Sequence, residues 1–529
     1  MKTVDTEQFV LTILETSDLH GNIFPIHYAN NHPSELGLAK ISTLIKQERR
    51  NNPHVLYIDN GDLIQGSPLS YYHARIQNKP NDPMVTILNH LGCDATVFGN
   101  HEFNYGPDVL NKAIRESDFP WISANIVDKQ TQEPYYGKPY TLKTFNDLKV
   151  AIIGLTTQYI PNWENPHHIE HLQFMDAVDT AKRWVSIVKE KEQPDVIVLS
   201  YHGGFECDID NGEETEQQTG ENQGYRICME VPDIDVFLTG HQHRAISEKS
   251  INGITIVQPG SGGTYLGKVQ ISLVKKSGKW TITDKSSSLL AVKDIAADPE
   301  ILQMVKSYED HTQQWLDQPI GKIKGDMLVH NPMDIRLRDN ALIEFFNKVQ
   351  MENAKVDISN TALFDNRSPG LNSDVTMRDV VSNYIYPNTL RVLRVTGQDI
   401  KDALEQSASY FEQYDGTEIK VSSKYQNPKP QHYNYDMWEG IEYKINISNP
   451  VGERIVHLSY KGQPLDMTKE YDVVMNNYRA GGGGNFFMFR DKHVVADIPT
   501  DVSELIANYI LERGEIEATV NHNWEVIHD

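Results

Sequence analysis

From Phe9 to about Val292 short apolar runs alternate with longer stretches whose apolar residues recur every three or four positions. Such alternation predicts strands and helices following one another in an α/β domain. The runs are Phe9 to Leu14, His54 to Ile58, Ala95 to Phe98, Lys149 to Ile153, Asp195 to Leu199, Asp235 to Leu238 and Ile254 to Val257. Most of them end in a polar cluster, and α/β folds gather ligands just beyond the carboxyl ends of their strands. Pro299 to Leu316 has helical spacing, with Ile301, Met304, Val305, Tyr308 and Trp315 available to one face, and predicts a connecting helix. Beyond it, Ala341 to Val349, Leu390 to Val395, Asp399 to Ser407, Tyr471 to Met475 and Val502 to Leu511 mix helical and strand-like patterns, as a second, α+β domain does. The polar stretches Asp208 to Gln223 and Tyr414 to Gln431 predict surface loops. The division that follows is a first domain over residues 1–297, a linker helix over 298–318 and a second domain over 319–529.

The chain has 529 residues, more than one hydrophobic core usually supports, which agrees with two domains. Its net charge of -24 argues against long nucleic acid as a partner. A small phosphorylated substrate stays compatible, because bound divalent cations reverse the potential locally. Cys93, Cys207 and Cys228 are too few and too unpatterned for a disulfide framework and read as core or incidental thiols. No apolar run is long enough to span a bilayer and no signal peptide precedes the first strand, so a cytoplasmic protein without membrane association is expected.

The chemistry sits where the strands end. Asp18-Leu19-His20 follows the first run, and an i, i+2 spacing in extended chain puts both side chains on one side. Asn60-Gly61-Asp62 follows the second run and adds a carboxylate able to bridge two cations. Gly99-Asn100-His101-Glu102 follows the third, His202 stands in Tyr201-His202-Gly203-Gly204, and His241-Gln242-His243 closes the set. Each histidine alone is more often a hydrogen-bonded residue than a ligand. Five such clusters in this order, each after its own strand, point instead to two divalent ions. Imidazole mixed with carboxylate and amide oxygen suits Zn, Mn, Co or Fe better than Mg. Two such ions neutralise phosphoryl oxygens in an in-line displacement, so the implied reaction is phosphoester hydrolysis.

These motifs resemble those of the calcineurin-like metallophosphoesterases, specifically the branch of 5'-nucleotidases and 2',3'-cyclic-nucleotide phosphodiesterases. The resemblance implies a four-layer sandwich of two mixed sheets flanked by helices, followed by an α+β nucleotide-binding domain. It implies one ion on Asp18, His20 and His243, another on Asn100, His202 and His241, and Asp62 between them. His101 is then the catalytic histidine, stabilising charge on the phosphoryl group or leaving oxygen, and Glu102 and Asn22 support the ligands. Asn104 stands where 5'-nucleotidases commonly carry an Asp paired with that histidine. Gly99 to Gly106, GNHEFNYG, resembles instead the branch of bifunctional 2',3'-cyclic-nucleotide 2'-phosphodiesterase/3'-nucleotidases.

In the second domain Tyr386-Pro387-Asn388-Thr389, Tyr433 to Gly440 (YNYDMWEG) and Asn476-Asn477-Tyr478-Arg479-Ala480 are similar to the nucleotide-binding domain of the same branch. By that match Tyr386 and Tyr478 sandwich the base and Asn388 touches the nucleoside edge. The N-G-G-G-[IV]-R motif of 5'-nucleotidases is absent; the chain reads Asn360-Thr361-Ala362-Leu363-Phe364-Asp365, with Arg367 as the nearest basic residue. The acidic residue that follows their second aromatic is missing within Gly481 to Asn485. Gly481 to Gly484 lacks the Lys-Ser/Thr of a P-loop and predicts close backbone approach. The expected function is hydrolysis of 2',3'-cyclic nucleotides and 3'-nucleotides. The alternatives are a 5'-nucleotidase or nucleotide-sugar hydrolase on the same scaffold, and a nucleotide-binding protein without turnover.

Overall fold

The seven apolar runs of the first half form strands in the computed structural model, which describes residues 7–529 apart from 217, 387, 428 and 499. Several strands outrun the apolar stretch that predicted them, because pairing continues into polar residues at their ends. Two six-stranded sheets result. The strands, in chain order, are Glu7–Thr16 (β1), Val55–Asp59 (β2), Ala95–Val97 (β3), Trp121–Ile122 (β4), Tyr140–Phe145 (β5), Leu148–Thr156 (β6), Val196–His202 (β7), Val236–Thr239 (β8), Ala245–Ile251 (β9), Ile254–Pro259 (β10), Tyr265–Lys276 (β11) and Lys279–Ala291 (β12). The first sheet has the order β12-β11-β1-β2-β3-β4 and the second β9-β10-β8-β7-β6-β5. Both are mixed: β1 to β4 run parallel while β11 and β12 pair antiparallel, and β6, β7, β8 and β10 run parallel between antiparallel β5 and β9.

Period-two alternation assigns each strand residue a layer. Leu11, Ile13, Leu56, Ile58, Ala95 and Val97 from the first sheet meet Val150, Ile152, Val196, Val198, Val236 and Leu238 from the second in one core. The intervening residues Ala151, Ile153, Ile197, Leu199 and Phe237 face the opposite way, onto Val178, Ala181, Val185 and Val188 of helix Ala177–Glu192. Helix Leu38–Asn51 buries Leu38, Ile41, Leu44 and Ile45 on the other flank, against β11. The layers are therefore helix, sheet, sheet, helix. Cys93, Cys207 and Cys228 are free and buried.

The chain divides into two compact units, Met1–Thr312 and Gln313–Asp529. The connecting stretch expected as one helix is two, Pro299–Met304 and Lys306–Leu316, broken at Val305 (φ -110°, ψ 14°). Val305 is fully buried where the two helices meet. Asp298 caps the first piece and accepts a 2.6 Å bond from Ser42, tying it to helix Leu38–Asn51.

The second unit is built on a five-stranded sheet, Ile358–Ala362 (β13), Leu390–Thr396 (β14), Asp436–Glu439 (β15), Glu470–Asn476 (β16) and His493–Ile498 (β17), in the order β15-β13-β16-β14-β17. Helix Ala341–Ala354 packs across it and shares its core with Trp438, Val473 and Met475. The stretch expected as a surface loop from Tyr414 to Gln431 is only partly one. Val421 bridges back to Phe411, and Tyr425 is buried with its hydroxyl 2.7 Å from Ser409 Oγ.

Candidate functional site

Register decides what meets at the strand ends of the first unit. Thr16 at the end of β1 pairs with Asp59 at the end of β2, and His202 at the end of β7 pairs with Thr156 of β6. Asp18, His20, Asp62, Asn100, His202, His241 and His243 thus emerge at one edge shared by both sheets. Asp18, His20 and His243 place one ligand atom each within 4.8 Å of one another, and so do Asp62, His202 and His241. Asn100 Oδ1 lies 2.9 Å from His241 Nδ1. Asp18, His20, Asp62, His241 and His243 all have φ between 50° and 68°. That left-handed backbone costs a non-glycine residue about 1–3 kcal/mol, and it turns each side chain back over the strand end. Two glycines are required by crowding. Gly61 has φ 89°, and a Cβ there would come within 2.5 Å of Gly99 N; a Cβ on Gly99 would collide with the Asp62 carboxylate.

The donors fit divalent metal. His20 Nδ1 lies 3.0 Å from Gln65 O and His202 Nδ1 lies 2.6 Å from Asn60 O, so both rings donate from Nδ1 to a carbonyl and keep the Nε2 lone pair for the site. His20 Nε2 then sits 3.1 Å from His243 Nε2, and buried His202 Nε2 lies 3.2 Å from Asp62 Oδ2. Lone pairs converging in this way are satisfied by a cation between them. The field demands one too. Burial alone would neutralise Asp18 and Asp62, yet His202 and the neighbouring histidines hold both carboxyls below the usual range. Burial disfavours charge on His202 as well, but Asp62 and Asp18 push its pKa up to about 10. His20, where burial outweighs Asp62, falls to about 3 and offers a neutral ring.

Glu102 braces the loops from behind, accepting from Asp62 N (2.9 Å), Leu63 N (2.6 Å) and Gly99 N (2.6 Å). Burial and the nearby Asp62 raise its pKa to about 7 against those bonds. Asn22 binds the carbonyls of Leu19 (2.8 Å) and His20 (3.2 Å), shaping the turn rather than a ligand ring. His101 opens the short 3-10 turn His101–Phe103, its ring centroid 5.2 Å from that of His20 and its backbone N–H on Asp62 Oδ1 at 2.8 Å. Its Nδ1 lies 2.6 Å from Asn104 Oδ1.

Two loops contribute residues that the sequence pattern did not reveal. Trp163 stacks on His241, with centroids 5.4 Å apart and planes 29° from parallel, and its neighbour Glu164 reaches Asn104. Within the stretch expected as a plain surface loop, Glu221 Oε1 lies 2.9 Å from His241 Nε2, which leaves Nδ1 to face Asn100. None of these three residues lies in a motif or at a strand end, so only a fold that returns distant loops to the site could show them.

In the second unit Leu390 of β14 pairs with Asn476 of β16, and Ala362 of β13 with Asp436 of β15. The segments flanking those four residues therefore gather at one end of the sheet. Tyr433 contacts Tyr386 (6.0 Å, 76°) and Tyr478 (6.2 Å, 75°), both edge-on, so it forms the floor between them. Pro387 of the Tyr386-Pro387-Asn388-Thr389 segment lies outside the described residues. The Asn388 carbonyl accepts from Val502 N at 2.8 Å, and exposed Arg367 is held in a bidentate pair by Asp365 (2.6–3.1 Å). Buried Arg479 pairs with Asp436 at 2.6 Å beneath the ring of Phe486. The glycine run is packing: a Cβ on Gly483 would meet the Tyr478 ring at 2.6 Å, and one on Gly484 would collide with Asn434.

Residues 11–245 match the family model of calcineurin-like phosphoesterases, and residues 319–491 that of the 5'-nucleotidase C-terminal domain. The 2',3'-cyclic-nucleotide 2'-phosphodiesterase/3'-nucleotidase of Salmonella typhimurium is 31% identical, over 98% of this chain and 88% of that protein. The chain belongs to the 5'-nucleotidase family of calcineurin-like metallophosphoesterases. A Staphylococcus aureus member of this family, named for 5'-nucleotidase and solved with alpha-ketoglutarate, is 35% identical with a TM-score of 0.90, covering 98% of this chain and 100% of that one. The trifunctional nucleotide phosphoesterase YfkN of Bacillus subtilis is 28% identical over 98% of this chain, which spans 39% of YfkN's length. The metallophosphoesterase match ends just after His243, the last of the candidate ligands, and the second match contains all three tyrosines. Among the described residues no helix is long and apolar enough to cross a membrane.

Proposed function

We propose that this chain hydrolyses ribonucleoside 2',3'-cyclic phosphates to 3'-nucleotides and then releases phosphate from the 3'-position. The observation that carries the reading is the pair of ligand triads, Asp18/His20/His243 and Asp62/His202/His241, with the His101 ring beside them. When bound, two divalent ions supply Lewis acidity toward the phosphoryl oxygens. The chain's own residues do the rest. Asn100 lies beside the second triad, against His241, and Glu102 holds the Asp62 and Gly99 loops in place. Cleavage forms a bond from water oxygen to phosphorus and breaks the bond from phosphorus to the 2'-oxygen, which must gain a proton. His101 would serve that oxygen: with Nδ1–H given to Asn104, a proton carried on Nε2 passes to the 2'-oxygen and is replaced from the attacking water. Tyr386 and Tyr478, with Tyr433 as floor, hold the base by stacking worth about 1–3 kcal/mol.

Support for the cyclic branch comes from Asn104 in the position of the 5'-nucleotidases' aspartate and from the three 2',3'-cyclic-nucleotide 2'-phosphodiesterase/3'-nucleotidases at 28–31% identity. The test is turnover of 2',3'-cAMP, 3'-AMP, 5'-AMP and a UDP-sugar by protein loaded with Mn, Co or Zn. The cyclic and 3'-substrates should dominate in kcat/KM. Dominant 5'-AMP hydrolysis makes the chain a 5'-nucleotidase, the reading that the Staphylococcus aureus relative favours. Nucleotide binding without turnover of any of them makes it a sensor.

A further inference from the structure

Behind His101 the structure continues into a chain of polar contacts that ends on a buried acid. His101 Nδ1 meets Asn104 Oδ1 at 2.6 Å, Asn104 Nδ2 donates to Glu164 Oε2 at 2.7 Å, and Glu164 Oε1 lies 2.8 Å from His168 Nδ1. Asn165 N also donates to Glu164 Oε1, at 2.7 Å. The Glu164 side chain is 4% exposed, and it sits between the 3-10 turns Ile160–Asn162 and Pro166–His168, 60 residues from Asn104.

We propose that Glu164 is a positioning residue, fixing the Asn104 amide and through it the tautomer of His101; this rests on the hydrolytic reading above. An amide presents two chemically different ends of nearly equal size, and either can face an imidazole. A carboxylate only accepts. Were Asn104 turned over, its oxygen would face the buried Glu164 Oε2 at hydrogen-bond distance with no proton between them, leaving both acceptors unmet. Glu164 therefore holds Nδ2 toward itself and Oδ1 toward His101. His101 must then carry its proton on Nδ1 and keep Nε2 for the reaction. An aspartate at position 104 would need no such partner, because both its oxygens accept. The asparagine and the buried glutamate form one device, in which the glutamate makes good the amide's asymmetry.

The test is a double-mutant cycle in the full-length, metal-loaded enzyme, read on the chromogenic diester bis-p-nitrophenyl phosphate, with metal content measured in each variant. In the wild-type background E164A should lower kcat about 10- to 100-fold with KM and metal content kept. In the N104D background the same substitution should cost less than about threefold, or raise kcat by removing a second carboxylate. Should E164A not fold, the isosteric E164Q enters the same cycle with the same sign expected. A second arm needs no turnover and so separates this inference from the substrate reading. Nitrogen-15 spectra of the metal-free protein, with the His101 ring assigned by its loss in H101Q, should show the Nδ1–H tautomer in wild type and a shift toward Nε2–H in E164A. Equal kcat losses in both backgrounds, or a tautomer that E164A leaves unchanged, overturn the proposal.

Discussion

His101 and its neighbour Asn100 share one short turn yet face different tasks. Asn100 reaches His241, while His101 lies over His20 and is gripped from behind by Asn104. Replacing His101 by Gln should therefore leave both triads intact. The expected outcome is a kcat about 10²- to 10⁴-fold lower with two equivalents of metal retained, measured by steady-state kinetics and elemental analysis of the same preparation. Loss of metal together with activity would place His101 among the ligands instead. The left-handed backbone at Asp18, His20, Asp62, His241 and His243 belongs to this scale too. Asp and His, with Asn, are enriched in that region among non-glycine residues, so the ligand types that the chemistry needs are also tolerable where the chain must turn back.

At the scale of elements, strands deliver and turns aim. The parallel strands of both sheets end at one edge because they share a direction, and their loops carry the donors there. In the second unit antiparallel register does the same work, bringing the starts of β14 and β15 to the ends of β13 and β16. The tyrosine cluster depends on that register rather than on any one segment. Tyr386→Ala and Tyr478→Ala should each raise KM for nucleotides by about tenfold, from roughly 1–3 kcal/mol of lost stacking, and leave bis-p-nitrophenyl phosphate turnover within about twofold. Parallel kinetics on the two substrates check this. Equal losses on both would mean that the rings serve packing alone.

For the molecule as a whole, the first unit folds around a negative centre. Asp18 and Asp62 are buried, and the surrounding histidines, His202 foremost, hold both carboxyls below the usual range. Metal binds only the folded arrangement of these donors, so its free energy adds to stability by mass action, about 4 kcal/mol at a thousandfold excess over Kd. Chelation should therefore abolish hydrolysis and lower the thermal transition of this unit, and restoring Mn, Co or Zn should recover both. Calorimetry with and without chelator reads the shift. An unchanged transition would mean that the donors do not hold metal.

The strands of the first unit were legible because each is an apolar run ended by a polar cluster, and local chain order already implies which clusters can share an edge. The candidate ligands were legible for the same reason: ligand types recur immediately after strands, a pattern independent of packing. The break at Val305 was not legible, since helical spacing persists across it. Tyr433 stood out in the sequence only as part of a motif, because a ring's neighbours across a sheet end depend on register. Glu164 and Glu221 lay hidden in polar loops, where any acid looks solvated. Sequence by itself determined which chemistry the chain carries, because donor types and their order after strands are local properties. Tertiary structure decided how that chemistry is aimed, because a hydrogen bond's direction and an imidazole's tautomer depend on partners brought from 20 to 60 residues away.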